Sequence, residues 1–572
     1  MDIDRRVFVK AGVAAIAVVA ERGSGAAVAQ QAAGAVVYYN GTILTMEGDQ
    51  PAAVEAVAVK NGKIAFAGAL DAARAAVGQA RLVDLQGRTM LPGFIDSWGH
   101  FTLFAQQTLG VNLAYFADTP PASKADAIAL LKATVPFNGW IIGYGYIASM
   151  LADGPLTLAD LDAAFPETPV MIATLSTLTG QVNSAGIAKL GLTPDTKVVQ
   201  PGEIAKDPQT GKLTGDLAFS PFLAARVQAV GSYSQAQTFK TFRAAEALLA
   251  AQGFTTVQSY QLVPDEIADL RAAFDQGVIA LDVIGMPSVS DAATGKIVQN
   301  ADWTWGAYSH GDRGLKIPGY QVATDAAPQL RLAAFTKPYL DTTGFPDGWK
   351  GMLLPQELVE QWVGHAYANG IQLFCYSNGD AGIDMSLAAI EKAIAASGKA
   401  DDRRTIIAHS YFVRPDQLAT YKQHDIGVSM MPPHMMVYGD LLMKELGPER
   451  ASLESPLASA LAAGLRSTIH CDCPSASPNM MEAVWTAVTR TTMSGLVLGP
   501  EERVSPYAAL LGATRNVAYT YREEATKGTI TAGKIADLVI LDANPLTAEP
   551  DKIKDIRVVE TIKRGQTIYA RG

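Results

Sequence analysis

Leu91-Pro92-Gly93-Phe94-Ile95-Asp96-Ser97-Trp98-Gly99-His100 is a short apolar run, broken by Pro-Gly, that ends in polar and aromatic side chains. Two textures of sequence meet at this point. Before it lie brief runs at 36–40, 41–46, 54–60 and 63–67, joined by Asn40-Gly41 and Asn61-Gly62, pairs that supply the positive φ of tight hairpin turns. The C-terminus returns to that texture at 537–541, 558–563 and 567–570. Two β-rich ends predict a small β-sandwich domain formed by both termini, 36–90 with 520–572. After the motif, short apolar runs alternate with Ala-rich helical stretches, as at 171–173, 255–257, 281–284, 371–374, 405–407, 426–429 and 467–469. That alternation predicts an α/β fold with a parallel sheet, a (β/α)8 TIM-like barrel over 91–519. Residues 109–223, irregular and rich in Pro and Gly, are too long for a loop and read as an insertion after the first barrel strand.

Of the 572 residues, 49% are hydrophobic and 18% charged, which excludes a disordered chain and calls for a large core. A net charge of −10 argues against a broad phosphate-binding surface, so no nucleic acid partner is expected. The start, Asp4-Arg5-Arg6-Val7-Phe8-Val9-Lys10, precedes an apolar run at 11–20 and the small-residue site Ala27-Val28-Ala29. This pattern predicts a twin-arginine signal peptide over 1–29 and a mature protein in a bacterial periplasm. The apolar run is too short for a bilayer span, which takes about 20 residues, so no stable membrane insertion is expected after cleavage. Cys375, Cys471 and Cys473 are too few for a disulfide framework.

Several motifs, in order, then resemble one family. The run ending at His100 is similar to the first barrel strand of the amidohydrolase superfamily, where it closes in His-x-His. Gly528-Thr529-Ile530 and Gly533-Lys534-Ile535-Ala536-Asp537-Leu538 resemble its return to the small domain. Val182-Asn183-Ser184, Asn378-Gly379-Asp380, Ala408-His409 and Asp472-Cys473-Pro474 resemble amidohydrolase family 3, the group of N-substituted formamide deformylases. The resemblance implies one or two divalent metals at the strand ends, which lower the pKa of a bound water and polarise the scissile carbonyl.

The implied ligand set is broken. Trp98 stands where the first histidine of His-x-His belongs, Gln321 where a bridging lysine belongs and Tyr376 where a later histidine belongs. Leu178 replaces a substrate-facing histidine. His100, His409 and Asp472 remain as metal ligands for one divalent ion, zinc by preference, with His470 or Tyr376 as possible additions. In a site without metal, His409 and Asp472 form a base and its orienting carboxylate, with Tyr376 as acid or oxyanion donor.

His434, following Met431-Pro432-Pro433, matches a family position near the substrate; Trp98, Leu178 and Gln321 complete the expected substrate contacts. Methionines at 430, 431, 435, 436, 443, 480 and 481 read as an adaptable apolar lining. Asp380 is expected to bond backbone or arginine, and Arg490 to be a surface charge unless it reaches a substrate carboxylate. The combined expectation is hydrolysis of a non-peptide C–N bond in an apolar or aromatic small molecule, by a protein that could form a homodimer. The rival readings are a metal-independent lyase, isomerase or decarboxylase on the same scaffold, and a non-catalytic periplasmic binding protein.

Overall fold

The computed structural model describes residues 34–198, 202–288, 305–397 and 402–572. The export reading at 1–29 lies outside them.

Both ends of the chain enter one eight-stranded sheet. Strands Ala35–Leu44, Ala53–Lys60, Lys63–Gly68, Ala80–Asp84 and Thr89–Pro92 come from the N-terminal part, and Leu538–Leu541, Val558–Lys563 and Gln566–Ala570 from the C-terminal part. Alternation sorts their side chains. Val36, Tyr38, Val57 and Val59 pack with Leu538, Ile540 and Ile562, while Val37, Ala56 and Ala58 pack under the helix Leu70–Val77. Asn61-Gly62 is a hairpin turn with φ of 54° and 74°. Asn40-Gly41 is not. There the expected hairpin is a bulge inside one long strand, with Tyr39 still opposite Ala56 and the register shifting before Ile43. The cause is close packing: a Cβ on Gly41 would lie 2.4 Å from the Arg88 carbonyl oxygen, so the neighbouring chain fills the space a turn would need.

The Leu91–His100 motif crosses between sheets. Leu91 and Pro92 pair with Val539 and Leu538 of the terminal sheet, and two residues later Phe94 pairs with Phe254. The crossing falls at Gly93, where a Cβ would stand 2.3 Å from the Thr255 methyl carbon. Any larger residue would push the two sheets apart.

From Phe94 the chain contributes eight parallel strand segments. They are Phe94–Ile95, Phe254–Leu262, Asp282–Pro287, Arg313–Lys316 continued by Gly319–Ala323, Gln372–Ser377, Ile406–His409, Gly427–Met430 and Ser467–Ile469. An isolated bridge between Ser288 and Gln321 joins the two halves of this array. The first and last segments meet through Ser97, whose hydroxyl donates to the Ile469 carbonyl at 3.2 Å, and through the His100 amide, which donates to Cys473 O at 2.9 Å. The arrangement is TIM-barrel-like. Helices such as Gln235–Ala250, Gln356–Ala368 and Asp380–Ser397 return the chain between strands, as parallel pairing requires.

Residues 111–219 carry a separate six-stranded sheet with its own apolar clusters. Met171–Ala173 belongs to this sheet and not to the barrel-like array. Tyr115 ties it to the loop after the last strand: its hydroxyl donates to Glu482 at 2.7 Å and accepts the Ser477 amide at 3.1 Å. Met430, Met431, Met436, Met480 and Met481 are buried in apolar clusters, and Met435 is buried as well. The three cysteines are free and buried. Among the described residues no helix is long and apolar enough to cross a membrane.

Candidate active site

The strand ends bring five of the expected residues together. Trp98 follows the first strand segment, Tyr376 lies in the fifth, His409 closes the sixth, and Asp472 follows the eighth. His100 Nε2 lies 3.3 Å from Asp472 Oδ1, an ion-pair distance without hydrogen-bond alignment. Trp98 is fully buried at the centre, its ring centroid 4.5 Å from Tyr260, 5.4 Å from His409, 6.1 Å from Tyr376 and 6.5 Å from His470. The edge of the Tyr376 ring meets the His409 ring at 4.5 Å.

Backbone strain gathers at the same place. His409, Ser410 and Asp472 have φ of 67°, 46° and 51°, in the left-handed region that side-chain-bearing residues avoid, at a cost of roughly 1–3 kcal/mol each. These conformations turn the chain sharply as it leaves the strands.

Burial also sets the charges. It drives the pKa of His409 well below its usual value and that of His470 down to about 4, so both are free bases at neutral pH. Burial opposes the charge of Asp472, yet the neighbouring His100 holds its carboxyl below the ordinary range. Asp96, buried and close to Asp472, is pushed up to about 8. Tyr376 and Tyr260 are raised above the usual phenol value by burial and stay neutral donors.

The remaining expected contacts are more remote. Gln321 is buried in the fourth segment, opposite Phe374 of the fifth. His434 is one ring further out, stacked on Tyr411 at 4.3 Å, with Tyr411 in turn 5.0 Å from His409. Leu178 sits in the turn before Thr179–Val182 of the inserted sheet, its carbonyl accepting the Phe219 amide. Asp380 accepts from the Thr336 amide and from Arg414. Arg490 is not a surface charge: it is 2% exposed and donates to the carbonyls of Ser452, Glu454, Ser455 and Leu498. Tyr260 and Tyr411 escape the sequence reading, where only their place at the end of an apolar run could mark them, and Glu454, in a polar stretch, carries no such mark.

His409 Nδ1, both ring nitrogens of His470 and Asp472 Oδ1 are buried without hydrogen-bond partners, as ligand atoms would be. Yet among the described residues no three His, Cys, Asp or Glu side chains converge as a metal shell. Trp98 packs among them instead. As placed, the residues do not fit a preformed metal site.

Parallel strands presenting imidazole, carboxylate and phenol from their C-terminal ends define the class, a TIM-barrel-like scaffold with a polar site at its strand ends. The sequence profile of the amidohydrolase family matches residues 81–569, and the chain belongs to that family. Its members hydrolyse C–N bonds, and the chain is an enzyme of this hydrolase class. It is 27% identical to the N-substituted formamide deformylase of Arthrobacter pascens, over 90% of this chain and 95% of that protein. It is 26% identical to the protein LONG AFTER FAR-RED 3 of Arabidopsis thaliana, over 93% and 91%. In fold it is similar to an uncharacterized metal-dependent hydrolase from Pyrococcus horikoshii OT3, with a TM-score of 0.70, 22% identity, and coverage of 90% of this chain and 99% of that one.

Proposed function

We propose that the chain hydrolyses an amide-type C–N bond in an apolar or aromatic small molecule, an N-aryl formamide being the simplest candidate. The observation that carries this reading is the convergence at the strand ends of His409, the Tyr376 ring 4.5 Å from it, and the His100–Asp472 pair, with burial keeping His409 a free base. His409 accepts a proton from water as its oxygen attacks the acyl carbon. The Tyr376 phenol donates a hydrogen bond to the acyl oxygen as charge develops there. The C–N bond then breaks, the proton on His409 passes to the departing nitrogen, and a carboxylic acid and an amine leave. Asp472 stabilises the imidazolium while it exists. Trp98, Tyr260 and Tyr376 give the site an aromatic wall, which favours aryl over small polar amides.

A second reading rests on the unpartnered nitrogens of His409 and His470 and on Asp472 Oδ1. In it, side chains around His100, His409 and Asp472 rearrange to take one divalent ion, zinc by the chemistry of the donors. Release of aniline from formanilide, measured before and after exhaustive chelation with elemental analysis of both samples, separates the two. Turnover that survives in metal-free protein supports the first reading; turnover lost with one equivalent of metal and restored by it supports the second. Faster hydrolysis of small polar amides than of formanilide would contradict the aromatic substrate class. The export motif at Arg5-Arg6 places the enzyme in the periplasm in this proposal, which a reporter fusion that folds before export would test.

A further inference from the structure

A cavity of about 620 Å³ lies at the end of the array where the strands begin, opposite to His409 and Asp472. Lys316 of the fourth segment, Gln372 at the start of the fifth and Arg403, shortly before the sixth, meet in its wall. Tyr376 stands four residues further along the fifth strand than Gln372, about 13 Å away at the rise of an extended chain. Trp305, Pro318 and Ile371 give the cavity an apolar, partly aromatic side. Its volume is that of a small-molecule site.

Charge accounting leaves one cation over. Asp402 pairs with Arg404 and Arg522, Glu524 with Arg404, and Glu523 with Lys316 and Lys527. Arg403 takes part in none of these pairs. Its guanidinium carbon lies 4.5 Å from the centroid of the Tyr367 ring, and its Nε is buried without a hydrogen-bond partner. Among the described residues its side chain has neither an ion pair nor a hydrogen bond.

The ring beneath Arg403 is held in place. Tyr367 is buried, and its hydroxyl shares a hydrogen bond of 2.9 Å with Thr405 Oγ1. Gln372 Nε2 donates to the carbonyls of Arg404 and Thr520, each at 2.8 Å, which ties the chain after Arg403 to the fifth strand. Gln372 Oε1 is itself buried without a partner, a second unsatisfied group on the same wall. A guanidinium stacked on a ring keeps its in-plane N–H groups for another acceptor, and a carboxylate is the acceptor whose two oxygens match them. The apolar side of the cavity suits an aromatic ring.

We propose that this cavity is a second ligand site, distinct from the catalytic one, that takes a monoanionic aryl carboxylate. The carboxylate pairs with Arg403 in the plane of its guanidinium, and the aryl ring lies against Trp305 and Ile371. Lys316 keeps Glu523 as its partner and adds positive potential from deeper in the wall. The inference does not depend on the reaction proposed above.

Titration of the purified full chain, followed by saturation-transfer difference NMR, tests it with three probes. Benzoate binds at least tenfold more tightly than acetophenone, which has its shape without its charge, and than acetate, which has its charge without the ring. Arg403→Gln weakens benzoate at least tenfold at an unchanged melting temperature. Arg403→Lys, which keeps the charge and loses the two-pronged fork, weakens it by less, and this variant decides if Arg403→Gln fails to fold. Asp472→Asn, at the other end of the array, leaves benzoate affinity within about twofold. No binding of benzoate, equal binding of acetophenone or acetate, or affinity unchanged by both Arg403 variants would overturn the proposal. Loss of benzoate binding in Asp472→Asn would overturn it as well, by moving the ligand to the catalytic cluster.

Discussion

The two ends of the barrel-like array bury polar groups in opposite ways. At the end where the strands begin, Lys316, Lys527 and Lys563 face Asp282, Glu523 and Asp537, each charge within 3.0 Å of an opposite one. At the end where the strands finish, Trp98 Nε1, His409 Nδ1 and both nitrogens of His470 have neither a hydrogen-bond partner nor an ion pair. Both clusters are buried, so depth alone does not distinguish them. Paired charges that satisfy one another hold the scaffold together. Unpaired groups, kept in strained backbone and lined by aromatic rings, raise the free energy of the fold and are left to meet something that comes from outside.

Breaking the paired end has the largest expected effect. Burial opposes the charge of Asp282, but Lys527 and Lys563 hold its carboxyl far below the usual value. Asp282→Asn leaves Lys527 with Glu523 alone and Lys563 with Asp537 alone, one negative charge short in a buried network, and costs about 3–5 kcal/mol, read from the midpoint of a urea unfolding curve. A loss below about 1 kcal/mol would mean that water reaches this network.

The histidine end predicts a pH dependence of the opposite origin. His470 has a folded pKa of about 4 against an unfolded value near 6.5. Between those limits the unfolded chain binds the extra proton, so stability falls as pH drops from about 6.5 to about 4, by about 3 kcal/mol in total. Unfolding curves across that range should show the slope in the wild type and lose much of it in His470→Asn. An unchanged slope would assign the effect to other groups.

The smallest effect is expected at the centre of the unpaired cluster. Trp98→Phe keeps an aromatic ring against Tyr260 and removes a buried N–H that has no partner. Lost indole volume and relieved desolvation offset each other, and the melting temperature should move by the equivalent of about 1 kcal/mol or less. A loss comparable to that of Asp282→Asn would erase the contrast between the two ends.

Sequence patterning revealed these ends unequally. The strand segments at 255–257, 281–284, 371–374, 405–407, 426–429 and 467–469 were legible because continuous apolar runs mark strands buried on both faces. The fourth segment was not, since Pro318 interrupts it and Lys316 and Gln321 place polar side chains in its interior. His100, His409 and Asp472 could be found because they stand at the ends of such runs. Glu454 and Arg490 could not: Glu454 lies in the polar-looking stretch Ser452-Leu453-Glu454-Ser455, and its partners His434 and Arg490 are 20 and 36 residues away. Asn40-Gly41 misled for a related reason, because a local turn signal was overridden by a strand packed across it.

The most direct test of the central claim, that the unpaired cluster performs C–N hydrolysis, is aniline release from formanilide by Asp472→Asn beside the wild type, with unfolding curves for both. The account predicts that turnover falls by about 10³-fold or more while stability holds or rises, as expected when a buried charge that serves the reaction is removed. Turnover that persists within tenfold of the wild type, or a collapse of the fold that accompanies its loss, would contradict it.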